Sequence, residues 1–166
     1  GTDAEPLIAD CKKRLDGIHQ VVKDLSHPRV LVLEWTDPPF LGGHWVPEMV
    51  AAAGGIPVPD WRGMASRQVT WDEILAHDPD VILMAPCGYS LDQTRELGEQ
   101  LLQDTTFKNL RAVKEKTVWV TDATHQYSRC TPACVRGVEV LAQTLFADVK
   151  FPASIIAPME AEIARL

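Results

Sequence analysis

The chain has 166 residues, 46% hydrophobic and 23% charged, with a net charge of −7. That length suits a single domain with a sizeable core. The acidic balance excludes nucleic acid, whose phosphates need a basic surface, and no apolar run approaches the ~20 residues of a membrane span. The chain opens on Gly1-Thr2 with neither a methionine nor a leader, so it is expected to be processed or cut from something longer.

Leu7, Cys11, Leu15, Ile18, Val22 and Leu25 follow one another at spacings of three and four, one face of a long helix. Thr2 or Asp3 is placed to cap it, Pro6 fits its first turn, and His27-Pro28 ends it. Strands are expected at Val30–Trp35, Ile56–Val58, Val81–Ala85 and Thr117–Thr121. Helices are expected at Val46–Ala53, Trp71–His77, Leu91–Gln103 and Pro132–Phe146, with a further one from Ala153 onward. Thr70-x-x-Glu73 and Ser90-x-x-Gln93 have capping-box form, in which each end's side chain satisfies the other's orphan N–H. Continuous apolar strands separated by helices predict an α/β fold: an open, mostly parallel sheet covered on both faces.

Ligands of such sheets bind outside the carboxyl ends of the strands. The loop after the first strand carries Trp35, Asp37, Phe40, His44 and Trp45, and the second carries Trp61, Arg62, Met64, Arg67 and Gln68. The third is Pro86-Cys87-Gly88-Tyr89, and the fourth holds His125, Tyr127, Ser128 and Arg129. Three of five tryptophans and both tyrosines thus fall on one predicted edge, whereas loops ordinarily concentrate polar residues. Each has a local alternative. Trp45 can pack the helix start onto the sheet, and Tyr127 fits core or ligand equally. His44 and His125 can cap, and the arginines can be solvated charges. Cys87 with His125 would make a nucleophile and base, but no spacing supports the pair. Cys130-x-x-x-Cys134 lacks the second pair that structural zinc requires; a disulfide stays open if the protein is exported. The phosphate loop of nucleotide hydrolases is missing from the sequence.

The stretch Glu34-Trp35-Thr36-Asp37-Pro38-Pro39-Phe40-Leu41-Gly42-Gly43-His44-Trp45-Val46-Pro47-Glu48, with Pro79-Asp80-Val81-Ile82-Leu83-Met84-Ala85-Pro86-Cys87-Gly88-Tyr89, resembles the carboxyl-terminal lobe of cobalamin-binding substrate-binding proteins of ABC transporters. These are relatives of siderophore- and haem-binding proteins whose two lobes are joined by one long helix. The resemblance implies an interlobe helix over residues 1–27 and a Rossmann-like ligand-binding lobe over 28–166, the amino-terminal lobe being absent. It implies an extracytoplasmic, non-enzymatic protein that holds a corrinoid against Trp35, Phe40, His44, Trp45, Trp61, Arg67, Cys87, Gly88, Tyr89, Tyr127 and Arg129. Haem or a ferric siderophore is the alternative ligand on the same fold, with Tyr127 or His125 as iron donors. Docking on the permease would go through Asp72 or Glu73, although both also suit the first turn of a helix. Members often carry Pro-Gly-Pro in the last loop, where this sequence reads Cys130-Thr131-Pro132-Ala133-Cys134. Dimerisation through the apolar stripe of the first helix is a further possibility.

Overall fold

The sheet is organised around β1 (Arg29–Thr36), which follows an 18-residue helix, α1 (Glu5–Val22). A computed structural model describes residues 3–157, 159 and 161–166. Beyond β1 the chain runs through β2 (Pro39–Leu41), α2 (Val46–Ala52), β3 (Ile56–Pro57), β4 (Arg67–Gln68), α3 (Trp71–His77) and β5 (Val81–Met84). It continues through α4 (Leu91–Leu101), α5 (Thr105–Asn109), α6 (Arg111–Lys114), β6 (Val118–Thr121), α7 (Ala123–Gln126), α8 (Ala133–Leu145) and β7 (Ile163–Arg165).

The strand order is β4-β2-β1-β5-β6-β7, with β3 also on β1. β1, β3, β5 and β6 are parallel, and β2, β4 and β7 pair antiparallel at the two margins. Alternation along the central strands separates two cores. Val30, Val32, Val81 and Leu83 face α1, α2 and α8, where they meet Ile18, Val50, Val138 and Leu141. Leu31, Leu33, Ile82 and Met84 face the other way, toward Ile74 of α3, Phe107 of α5 and Ala112 of α6. Strands covered on both faces must be apolar throughout, as the continuous runs anticipate.

The expected elements recur within a few residues, and both capping boxes form. Three differences have physical causes. The chain reverses after Thr36 into β2, whose Phe40 and Leu41 bond to β4 on their far side. Pro39 can open such a strand because it stands at the start, where it need donate little to the ladder. The helix expected from Ala153 is instead a turn at residues 153–156 followed by β7, which covers the otherwise open backbone of β6. Positions 158 and 160 within that expectation lie outside the described residues. Finally, α1 ends at Val22 and not at Leu25. At its start the Glu5 N–H donates to Asp3 Oδ1 at 3.0 Å, while Thr2 lies outside the described residues.

A buried carboxylate joins the segments. Glu139 of α8 is 1% exposed and accepts from Arg14 Nε of α1 at 2.6 Å and from Arg136 Nη1 at 3.2 Å. Arg136 also donates through Nε to Glu162 Oε1 at 2.9 Å, and Gln126 of α7 reaches the same oxygen at 3.2 Å. Replacing Glu139 leaves two guanidinium groups facing each other with less to neutralise them. We expect Glu139→Gln to cost about 2–3 kcal/mol, below the ~3–5 of a fully buried pair because both arginines keep some solvent contact. The check is a lower urea midpoint at an unchanged slope.

The loop between β2 and α2 rests on the segment before β4. A Cβ on Gly43 would stand 2.4 Å from the Ala65 carbonyl carbon and 2.5 Å from the Ser66 nitrogen. Neither is a flexible side-chain end, so one backbone must move. Gly43→Ala is expected to destabilise by about 1–3 kcal/mol, again read from urea unfolding.

Candidate functional site

The chain leaves β1 for β3 on one side and enters β5 on the other, so the strand order reverses between β1 and β5. In an open α/β sheet the crevice forms outside the carboxyl ends of such a pair. A cavity of about 350 Å³ opens there, lined by Glu34, Phe40, Gly43, His44, Trp45, Val46, Ser66, Cys87, Tyr127 and Ser128.

A bulge sets its floor. Leu33 pairs with Leu41 and Trp35 with Phe40, so Glu34 is the extra residue of β1. Bulges re-aim side chains, and this one lets Glu34 line the cavity while the next residue, Trp35, packs its ring on Tyr89 at 5.3 Å in an edge-on arrangement. Three hydrogen bonds hold the walls together. Cys87 N–H donates to the Glu34 carbonyl at 3.4 Å, Gly88 N–H to Ser128 Oγ at 3.0 Å, and Trp45 Nε1 to the Tyr127 carbonyl at 3.0 Å. Gly88 has φ +82°, a conformation that favours glycine.

His44 is the unusual member. It is exposed, with φ +56°, and its N–H donates to the Met64 carbonyl at 2.6 Å. That bond, with Gly43 N–H to Ser66 Oγ at 2.9 Å, holds the residue in its left-handed conformation. Its ring lies 5.8 Å from that of Trp45, so the imidazole and the indole form adjoining parts of one wall.

Of the residues expected at the ligand face, Phe40, His44, Trp45, Cys87 and Tyr127 meet at the cavity. Tyr127 is buried, and its hydroxyl donates to the Gly137 carbonyl at 3.3 Å. Burial pushes the phenol well above its ordinary pKa, so it stays protonated at neutral pH. Trp35 and Tyr89 pack on each other; Tyr89 lines a separate 290 Å³ hollow with Gln93, Glu96, Leu97 and Gln100. Trp61 is placed elsewhere, 8% exposed in the core beneath α3. The Arg67 guanidinium covers its ring at 4.0 Å, a cation–π contact that accounts for both residues. Arg129 is exposed outside the lining, and its carbonyl accepts from the Cys134 thiol. His125 caps nothing: its Nδ1 lies 2.9 Å from Asp122 Oδ2, and Asp122 caps α7. It does not join Cys87 in the cavity lining.

Glu34 and Ser66 are cavity residues that residue type alone did not single out, and Ser128 is one that the sequence places on the fourth loop without a role. Only Glu34 carried a signal, as a charge at the end of a buried strand. The lining contains neither arginine nor lysine. Beyond the cavity, Glu73 is occupied by the Thr70 N–H at 2.7 Å and the Thr70 hydroxyl at 3.0 Å, whereas Asp72 is exposed and has no hydrogen-bond partner among the described residues.

No helix among the described residues is long and apolar enough to cross a membrane. No curated protein sequence matches the chain. Solved structures do. An ABC-transporter substrate-binding protein from Listeria monocytogenes EGD-e is 19% identical, with a TM-score of 0.78 over 87% of this chain and 57% of its own. The periplasmic heme-binding protein RhuT from Roseiflexus sp. RS-1 is 21% identical, with a TM-score of 0.68 over 86% and 55%. An ABC-type Fe3+-hydroxamate transport system structure from Saccharomonospora viridis DSM 43017 is 20% identical, with a TM-score of 0.71 over 85% and 48%. At these identities the likeness is one of fold, and the chain spans about half the length of the structures it matches. Residues 2–124 match the family model described as periplasmic binding protein. On this match and on the fold, the chain belongs to the periplasmic binding protein family.

Proposed function

We propose that this chain forms one wall of a binding cleft for a bulky metal chelate, haem first, in a substrate-binding protein that serves an ABC importer outside the cytoplasm. The observation that carries this is the 350 Å³ cavity at the strand-order reversal, walled by Phe40, Trp45 and buried Tyr127 with the exposed imidazole of His44 among them. Aromatic faces suit a flat macrocycle, and a neutral imidazole is a good donor to iron. The haem-binding and Fe3+-hydroxamate neighbours support an iron ligand over a corrinoid. The lining favours haem over a siderophore, because no guanidinium stands ready for catecholate or hydroxamate oxygens. Of the possible iron donors at the cavity, the Tyr127 phenol is spent on Gly137, which leaves the His44 imidazole first and the Cys87 thiol second.

A corrinoid is the second reading, favoured by the motif from Glu34 to Glu48 and by the hydroxyls of the lining, Ser66 and Ser128, which would meet its peripheral amides. On either reading α1 is the interlobe helix, residues 28–166 are the lobe, and permease docking goes through Asp72. Glu73 is already consumed by its capping box. A single wall supplies part of the contacts of a closed cleft, so affinity is expected to be modest.

Equilibrium dialysis against haemin, cyanocobalamin and one ferric hydroxamate tests the proposal. Saturable haemin uptake with a shifted visible spectrum is the expected result, and His44→Ala should weaken it about tenfold or more, ~1.4 kcal/mol or above. Uptake of cyanocobalamin alone would transfer the function to the second reading. Haemin uptake that is indifferent to His44→Ala would remove the histidine from the iron.

A further inference from the structure

Beside the cavity, on the far side of Trp45, a second hollow of about 230 Å³ runs between α1, α2 and α8. Leu15, Trp45, Met49, Val135 and Val138 line it, and two of the four cysteines, Cys130 and Cys134, stand together on its rim. They bracket the turn that starts α8, where Cys134 N–H bonds the Thr131 carbonyl at 2.9 Å and Val135 N–H the Pro132 carbonyl at 3.1 Å. Both thiols are free in the structure. Cys130 is exposed, whereas Cys134 is half-buried and its S–H donates to the Arg129 carbonyl at 3.1 Å. Burial raises the Cys134 thiol above its ordinary pKa.

We propose that Cys130 and Cys134 form a reversible disulfide at the start of α8, with a small-molecule or protein disulfide as oxidant. Cys130 lies three residues before α8 begins at Ala133, so its Cβ is not fixed at the helical i, i+4 spacing of about 5–6 Å and can close to the ~3.5–4.5 Å of a disulfide. That closure is made by residues 128–131, an irregular segment with only the Ser128 side chain buried to any degree. The exposed Cys130 attacks first. Its thiolate displaces one thiol from the oxidant and leaves a mixed disulfide. The Cys134 sulfur then attacks the Cys130 sulfur, gives up its proton, and expels the second thiol. Two protein thiols are oxidised, and one external disulfide is reduced to two thiols. The bridged Cys134 has no S–H, so its bond to Arg129 is lost. That loss, with the new covalent tie at Cys130, repositions the segment whose neighbours Tyr127 and Ser128 form a wall of the cavity. The pairing holds whichever ligand the cavity takes.

Sequence makes the test direct, since trypsin cleaves after Arg129 and Arg136 and releases both cysteines in peptide 130–136. The full chain is reduced, exchanged against oxidised glutathione, blocked with iodoacetamide and digested without reductant. The expected product is peptide 130–136 unalkylated and about 2 Da lighter than its dithiol, with Cys11 and Cys87 unbridged. In Cys134→Ser, glutathione should remain attached at Cys130, because the resolving sulfur is gone. Alkylation of both cysteines in the oxidised chain, a persistent glutathione adduct on Cys130 in the unsubstituted chain, or a bridge to Cys11 or Cys87 would each overturn the pairing.

Discussion

Everything in this molecule depends on how β1 satisfies its two edges. One edge is taken by β5 in register from Val30 to Leu33. The other is divided: β3 pairs with Arg29 and Val30 near the start, and β2 pairs with Leu33 to Thr36 near the end. Parallel β3 and antiparallel β2 cannot merge into one strand, so the chain between them must leave the sheet. It does so through His44, Trp45 and α2. The reversal of strand order, the bulge at Glu34 and the cavity are three consequences of that single divided edge.

The cavity wall is assembled from segments far apart in sequence, and its order comes from backbone groups more than from side chains. Phe40 sits on β2, His44 and Trp45 open α2, Cys87 follows β5, and Tyr127 and Ser128 follow α7. The joining bonds run from Cys87 N–H, Gly88 N–H and the Trp45 indole to partners on other segments. Each bond ties one loop to another, and the half-buried Trp45 indole would be left with a poorly solvated donor if its bond were lost, so the loops are limited to few conformations. Behind them the Glu139 carboxylate ties α1 to α8, and Arg136 and Glu162 extend the network to the segment before β7. The wall is therefore backed by a pre-ordered layer, which lowers the entropy that a ligand must spend on ordering it.

Much of this could be read in the residues because it is local. The spacing of Leu15, Ile18 and Val22 fixes one face of α1, the capping boxes at Thr70 and Ser90 fix two helix starts, and the unbroken runs at Val30 and Val81 mark doubly covered strands. What stayed hidden is pairing over distance. Leu41 looks like loop until β4, 26 positions on, supplies a partner through Arg67. The residues from Ala153 have helical composition, but the open edge of β6 offers Ile163 to Arg165 more hydrogen bonds than an isolated turn of helix would. The site divided the same way. Phe40, His44 and Trp45 share one loop and reach one cavity. Trp61 was drawn into the core because Arg67, adjacent only after β4 pairs, caps its ring. An aromatic in a long loop is thus ambiguous until the partner of its outer face is known.

Trp45 links the two hollows. Its indole lines both the polar-edged cavity and the apolar groove beneath α1, while its N–H is anchored to the Tyr127 carbonyl. Because one ring borders both hollows, its displacement on one side alters the other. On the groove side stand Cys130 and Cys134, four and eight residues beyond Gln126, where α7 ends. A ligand pressing on the cavity face would lean Trp45 toward Met49 and the cysteines, and a bridge between the cysteines would shift the strand of loop to which Trp45 is bonded. Coupling between redox state and ligand therefore has two routes, the backbone at Tyr127 and Ser128, which line the cavity directly, and this side chain, whose share is limited by a single indole hydrogen bond, about 1 kcal/mol.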